Sequence, residues 1–195
     1  VLIKEYSSIG SDCKIFKGAV VGEVPMDLKF EGEESSLEIG DRTTVREFCT
    51  LHRGTKDKKI TKIGSDCLLM SYSHVAHDVI IGDNVIVSIS VNIAGHAEVD
   101  DYAIIGGCTP VHQFCKIGKH AFIGGGRLIL QDVPPYILAT GEPLKYAGVN
   151  SVGLRRRKFS LNARTQIKKA YSLIYQSKLN LSQAIKQIKS DFDDS

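Results

Sequence analysis

Four of the six histidines fall close together in the chain: His74, His77, His96 and His112. Histidine is the side chain whose ordinary pKa lets it take up a proton near neutral pH. Asp78 directly follows His77, and a carboxylate beside an imidazole can orient or polarise it. His-x-x-His at 74–77 is loosely compatible with zinc, and some enzymes gather three histidines across a subunit interface. The same spacing also suits histidines that only decorate a surface. No P-loop, no GxGxxG after a strand and no GxSxG elbow occurs.

What positions these residues is a six-residue period. Of the 22 positions taken every sixth residue from 3 to 129, 19 are Ile, Val or Leu, and the exceptions are Asp27, Glu33 and Asp57. The twelve from Ile63 to Ile129 are unbroken. The next residue is often Gly (Gly10, Gly40, Gly64, Gly82, Gly118, Gly124), which we read as supplying turn conformations that a β-carbon would hinder. The fourth residue on is usually small, and Cys13, Cys49, Cys67 and Cys115 occupy such slots. A hexapeptide period specifies a parallel β-helix. Three hexapeptides close a coil, and each aliphatic residue stacks on its equivalent one coil on, about 4.8 Å away.

That eighteen-residue coil turns spacing into geometry. His77, Gly95 and Gln113 should form one column on the wall, and Asp78, His96 and Phe114 another. A base, a backbone amide and a side-chain amide would then lie within roughly 10 Å. Residues 22–38 and 55–62 are charged and break the period, so they read as loops thrown out from the coils, where function often resides. Gly124-Gly125-Gly126 reads as a thin spot in the wall.

The expected fold is mainly β: a left-handed parallel β-helix of hexapeptide repeats over residues 1–135, then a connector and a C-terminal α-helical domain over 136–195. Two helical patterns are predicted there. The first is capped by Ser160 and has an apolar face of Ile167, Ala170, Tyr171 and Ile174. The second carries Leu181, Ala184, Ile185, Ile188 and Phe192. Ten of the 25 Lys and Arg residues lie between Arg155 and Ser190, where no Asp or Glu occurs. The tail is thus a basic appendage on an acidic body, suited to an acidic partner or phosphate groups.

Composition excludes other classes. The 195 residues are 43% hydrophobic and 24% charged, an ordinary globular balance. A net charge of +3 argues against a nucleic-acid coat. No apolar run approaches the roughly eighteen residues of a membrane helix. The five cysteines form no CxxC pair, so free thiols in a reducing cytoplasm are expected. The chain opens at Val1, so its true N-terminus is expected further upstream.

The runs HVAHDVIIG (His74–Gly82), NIAGH (Asn92–His96), AIIGGCTPVHQF (Ala103–Phe114) and QDVPPY (Gln131–Tyr136) resemble one family closely. It is the UDP-N-acetylglucosamine O-acyltransferases, which perform the first step of lipid A synthesis. GEVPMDLK, IGDRTTVRE, HRGT and GVNSVGLRRRKF match in order, so the resemblance spans nearly the whole chain. Family members carry further coils in front and more helix behind.

The resemblance implies transfer of a 3-hydroxyacyl group from acyl carrier protein to the 3-hydroxyl of UDP-GlcNAc, without cofactor or metal. It implies His77 as general base, Asp78 as its polarising partner and the Gly95 N–H as oxyanion donor. It implies substrate contacts by His52, His74, His96, His112 and Gln113. Asp27 and Lys29 would grip the acyl hydroxyl and the sugar or its phosphates, and Gly125 would limit the acyl chain. Asn150, Arg156 and Arg157 would meet the uridine diphosphate, and the basic helices the acidic carrier protein. Three positions depart from the family pattern: Pro143 for a nucleotide-contacting His, Val152 for a Glu and Met26 for a Gln. Packing of flat prism faces suggests a homotrimer with three interfacial sites. Rival readings are the related pathway N-acyltransferase, a γ-type carbonic anhydrase and a non-catalytic scaffold. The first is disfavoured by Asp78, since that family has Asn after its histidine.

Overall fold

The computed structural model describes residues 1–192, the side chain of Phe192 excepted. The chain winds as a left-handed parallel β-helix whose walls are three sheets of six, six and eight strands. The first sheet comprises Leu2–Ile3, Val20–Glu23, Thr50–His52, His74–Val75, Asn92–Ile93 and Pro110–Val111. The second runs from Ser7–Ile9 to Lys116–Ile117, and the third from Lys14–Ile15 to Phe122–Ile123 and on through Ile137–Thr140 to Lys145–Val149.

Register follows the coil. His74 pairs with Asn92 and Asn92 with Pro110, a step of eighteen residues. Two steps are longer: Val20 pairs with Thr50 and Thr50 with His74. The excesses, twelve and six residues, are whole multiples of the hexapeptide. The loops therefore enter without shifting the phase, which is why the aliphatic count resumes in step after Asp27, Glu33 and Asp57. Pairing reaches further into both charged stretches than their composition suggests. Ser36–Ile39 and Ile60–Ile63 are strands, because Leu37 and Thr61 turn inward while Lys62 stays outside.

Beyond the first coil, where Ile3 is 51% exposed, the aliphatic ladder is closed to solvent: Leu51, Val75, Ile93, Ile105 and Ile123 are all 0% exposed. Each contributes about 1.5–3 kcal/mol on burial. Cys49, Cys67 and Cys115 are buried, Cys13 is half-buried, Cys108 is exposed, and all five are free thiols.

The turn geometry differs from the sequence expectation. Gly10, Gly40, Gly64, Gly82, Gly118 and Gly124, which follow aliphatic residues, are not left-handed, although Gly22 after Val21 is. Left-handed φ, near +60°, falls two residues later, at Asp12, Arg42, Asp66, Asp78, Asn84, His96, Tyr102 and His120 among others. A non-glycine residue there costs about 1 kcal/mol. The strain is offset by pairing: the N–H of Asn84, His96, Tyr102 and His120 each donates to a carbonyl one coil back. The glycines are required instead by close approach. A β-carbon on Gly64 would lie 2.5 Å from the backbone of Gly82 on the next coil.

After Phe122–Ile123 the third sheet continues, because Ile137–Thr140 adds in parallel and Lys145–Val149 folds back antiparallel. Three helices follow: α1 (Ser151–Arg156), α2 (Leu161–Tyr175) and α3 (Leu181–Phe192). Ser160 caps α2 by accepting from the Ala163 N–H at 3.1 Å. Asn180 and Gln183 cap α3 reciprocally. Ile167, Tyr171 and Ile174 dock α2 on the coils, and the Tyr171 hydroxyl donates to the Pro135 carbonyl at 2.6 Å. On α3 only Ala184 is buried, and Leu181 and Ile185 stay exposed. Its apolar stripe is thus only half covered, and Phe192 lies outside the described side chains.

Candidate active site

Asp78 sits at a coil corner, at φ +59° and 0% exposed. A buried carboxylate is stable only when its oxygens are satisfied. Here Oδ1 accepts from the Thr55 N–H at 3.0 Å and the Lys58 N–H at 3.3 Å. Oδ2 accepts from the Thr55 hydroxyl at 2.5 Å and meets His77 Nδ1 at 2.9 Å. Burial alone would raise the Asp78 pKa, but the hydrogen bonds from Thr55 and His77 outweigh it and hold the group below the ordinary carboxylate value. An ionised Asp78 makes His77 Nδ1 the protonated nitrogen, so Nε2 carries the lone pair.

Gly95 lies against the other face of this histidine. A β-carbon there would stand 2.6 Å from His77 Cε1 and 2.8 Å from Nε2. The Gly95 carbonyl accepts from Phe114, while its N–H has no protein acceptor among the described residues. His96 crosses His77 edge-on at 5.1 Å and stacks on Phe114 at 4.6 Å. The two columns read from the eighteen-residue period thus stand side by side.

These groups open into a cavity of about 320 Å³, whose lining includes Met26, His52, His74, His77, Asn92 and Gly95. His52 and His74 meet edge-on at 5.0 Å. His74 Nδ1 lies 2.8 Å from the Thr50 hydroxyl. Burial, reinforced by His52, pushes the His74 pKa down to about 4. His52 is lowered by burial too, and its Nδ1 is buried without a hydrogen-bond partner among the described residues. Both are therefore neutral at pH 7 and serve as uncharged donors or acceptors. A larger cavity of about 400 Å³ beside Tyr146 and Tyr175 is lined by no histidine or cysteine.

Other expected residues lie elsewhere. His112 and Gln113 are exposed, and neither lines the cavity. Asp27 caps the turn of the first loop by accepting from the Lys29 N–H at 3.0 Å, and only Met26 of that loop reaches the cavity. Gly125 is exposed, and a β-carbon on it would lie 3.0 Å from the Gly107 carbonyl. Arg156 and Arg157 line a separate cavity of about 450 Å³ with Tyr102, His120 and Phe159. Asn150 is buried. Its Oδ1 caps α1 by accepting from Gly153, and its Nδ2 donates to the His120 carbonyl. Val152 and Pro143 are exposed.

The sequence reading missed Thr55, Thr61 and His120. The eighteen-residue column from Tyr102 to His120 was available to find the last. Thr55 acts through a loop that periodicity does not describe, and Thr61 stands in the strand that follows it.

Ligand atoms of His77, Asp78 and His96 lie within 4.8 Å of one another, close enough to hold a cation. Yet Asp78 already receives donors on both oxygens, which favours a hydrogen-bonded dyad over a coordination site.

Comparison with known proteins meets this geometry from another side. The family model described as UDP N-acetylglucosamine O-acyltransferase, domain 2, matches residues 132–195, and that for bacterial transferase hexapeptides matches 60–88. An acyl-[acyl-carrier-protein]–UDP-N-acetylglucosamine O-acyltransferase from Verminephrobacter eiseniae is 46% identical over 94% of this chain and 70% of its own length. One from Nautilia profundicola is 46% identical over 95% and 72%. The crystal structure of a UDP-N-acetylglucosamine acyltransferase from Bacteroides fragilis superposes with a TM-score of 0.95 at 47% identity, over 97% of this chain and 74% of that one. The coil stack, the His77–Asp78 corner and the helical tail all fall inside these matches, and the chain belongs to the UDP-N-acetylglucosamine O-acyltransferase family.

Proposed function

We propose that the protein transfers a 3-hydroxyacyl group from acyl carrier protein to the 3-hydroxyl of UDP-GlcNAc, the opening step of lipid A synthesis. The observation that carries this is the His77–Asp78 dyad, with Gly95 packed against the His77 ring where both line the histidine cavity. His77 Nε2 takes the proton of the sugar 3-hydroxyl as that oxygen attacks the thioester carbonyl. The charge that develops on the carbonyl oxygen meets the Gly95 N–H. As the tetrahedral intermediate collapses, the C–S bond breaks and the imidazolium returns its proton to the departing thiolate. Asp78 stays ionised and holds the ring.

In this reading His52 and His74 are uncharged walls for the sugar and His96 is a hydrogen-bonding one, with Gln113 further along the His77 column and His112 beside it. Asp27 and Lys29 present the first loop to the acyl hydroxyl and the phosphates, and Gly125 leaves room for the acyl chain. Asn150 shapes the region that holds the uridine diphosphate, and Arg156 and Arg157 contact it. Within one chain the histidine and arginine cavities share no lining residue. That separation supports a homotrimer in which neighbouring subunits complete each site. The exposed Lys168, Lys178, Lys186 and Lys189 suit the acidic carrier protein. No helix among the described residues is long and apolar enough to cross a membrane. The five free thiols fit a cytoplasmic enzyme.

The test is acyl transfer from a panel of 3-hydroxyacyl carrier proteins to UDP-GlcNAc, with the product read by mass spectrometry. A 3-O-acyl product that disappears in His77→Ala supports the reading. Unchanged product from His77→Ala removes it. The metalloenzyme alternative rests on the close approach of His77, Asp78 and His96. It predicts bound metal in the purified protein and loss of activity with chelator.

A further inference from the structure

The second loop, between Thr50–His52 and Ile60–Ile63, interrupts the coil at the corner where Asp78 sits. At the seven left-handed corners from Asn84 to His120, the corner N–H donates to a backbone carbonyl one coil back. Asp78 departs from this pattern. Its N–H donates to the Thr61 hydroxyl at 2.8 Å. A side chain from the strand that follows the loop has replaced a backbone acceptor.

The same loop closes over the carboxylate. Lys59 N–H bonds the Thr55 carbonyl at 2.8 Å, forming a tight turn. That turn aims the N–H groups of Thr55 and Lys58 at Oδ1 and the Thr55 hydroxyl at Oδ2. The direction of the hydroxyl proton follows from its neighbours. Thr55 Oγ1 accepts from the Asp57 N–H at 3.4 Å, and an ionised carboxylate can only accept, so Thr55 donates to Asp78. Thr55 is 4% exposed and Thr61 0%.

We infer that residues 55–61 form a built cradle for the Asp78 carboxylate, and that Thr55 is a positioning residue keeping His77 in the tautomer whose Nε2 lone pair faces the cavity. This rests on His77 being the base. Thr55 touches neither substrate nor the reacting atoms and acts through Asp78. With Oδ1 filled by two backbone donors and Oδ2 shared between Thr55 and His77, the carboxylate cannot rotate away from the ring. Without the hydroxyl, Oδ2 loses a donor, so Asp78 is easier to protonate and freer to turn about its Oδ1 bonds. A protonated or turned carboxyl no longer fixes the Nδ1 proton, and the acid limb of the rate profile moves to higher pH. The other ionisable groups facing the dyad are His96, 3.9 Å from Asp78 Oδ2, and Asp57 at the same distance from His96. His52 and His74 face it across the cavity, and Lys58 pairs with Glu98 at 3.3 Å.

The experiment compares Thr55→Val, Thr55→Ser and His77→Ala with the wild type, across a pH series of acyl transfer. For Thr55→Val we expect kcat to fall about tenfold with little change in KM. Its acid limb should rise by about one pH unit. Thr55→Ser should restore both. Nitrogen-15 NMR of the folded variants, which needs no activity, should show the His77 Nδ1–H tautomer in the wild type and Thr55→Ser and its erosion in Thr55→Val. A Thr55→Val enzyme with the wild-type rate, pH profile and tautomer overturns the inference. So does a slow variant whose acid limb is unmoved and which Thr55→Ser does not rescue. Full activity in His77→Ala would instead strike the underlying base assignment, which is a separate result.

Discussion

Replacing Gly95 by alanine adds one methyl group at the point where the wall of the helix touches the His77 ring. The ideal β-carbon would lie 2.6 Å from Cε1, 2.8 Å from Nε2 and 3.2 Å from Nδ1. Ordinary carbon contacts begin near 3.5 Å, so the ring must retreat by about 1 Å. The backbone is not what resists, because Gly95 is absent from the left-handed positions that alanine would strain. Nor is the core, since Ile93 and Ala97 point inward and do not meet the new methyl. The ring can yield, because His77 keeps 15% of its side chain exposed. Its retreat stretches the 2.9 Å bond to Asp78 and moves Nε2 from the line of attack. A displacement of that size costs about a hundredfold in rate, or about 2.7 kcal/mol of barrier. Stability should change little, by about 1 kcal/mol or a few degrees in Tm. Steady-state acyl transfer with product mass spectrometry gives kcat, and thermal unfolding gives Tm. A Gly95→Ala enzyme folded like the wild type and working within about threefold of its rate would refute the claim that this contact positions the base.

Other consequences are equally direct. The His74 imidazole titrates at about 4, against 6.5 when unperturbed, because burial and then His52 disfavour its charge. The unfolded chain therefore takes up this proton first as the pH falls. The stability tied to His74, on the order of 3 kcal/mol, is full above about pH 6.5 and is lost toward about pH 4. His74→Asn should flatten the dependence of Tm on pH in that window, and an unchanged slope would clear His74 of the effect. Asn150→Ala removes both the α1 cap and the bond to the His120 carbonyl, and should lower urea stability by about 2 kcal/mol. Gly64→Ala forces a β-carbon to 2.5 Å from the Gly82 backbone, and equilibrium unfolding should show a loss of about 1–3 kcal/mol. A neutral result there would mean that the coils slide apart freely. Light scattering should return three times the chain mass, and a fully active monomer would refute the shared-site reading.

The spiral and the columns on it are legible in the chain itself. A repeat of six with aliphatic residues at one phase has one way to bury them all, and three such steps make a coil of fixed length. Because strand pairing locks each coil to the next, Gly95 had to fall beside His77 and His96 beside Phe114. The loops kept that phase only because their extra residues come in sixes. The α2 helix was visible from its Ser160 cap and periodicity, and α3 from periodicity, for a similar reason, since these signals are local.

What the tertiary structure decided is everything made by contacts without a period. The corner glycines looked like turn residues, yet they are small because the next coil passes within contact distance of them. The left-handed turns fall on Asp78 and His96 instead, held by N–H bonds to another coil. The hairpin of Ile137–Thr140 with Lys145–Val149 and the short α1 lay hidden in what composition marks as a connector. Most of all, the fate of the Asp78 charge depended on a turn twenty residues earlier in the chain. A sequence shows that a carboxylate stands next to a histidine. Only the fold shows which donors reach it, and those donors determine whether it stays ionised and which nitrogen of His77 is left free to act.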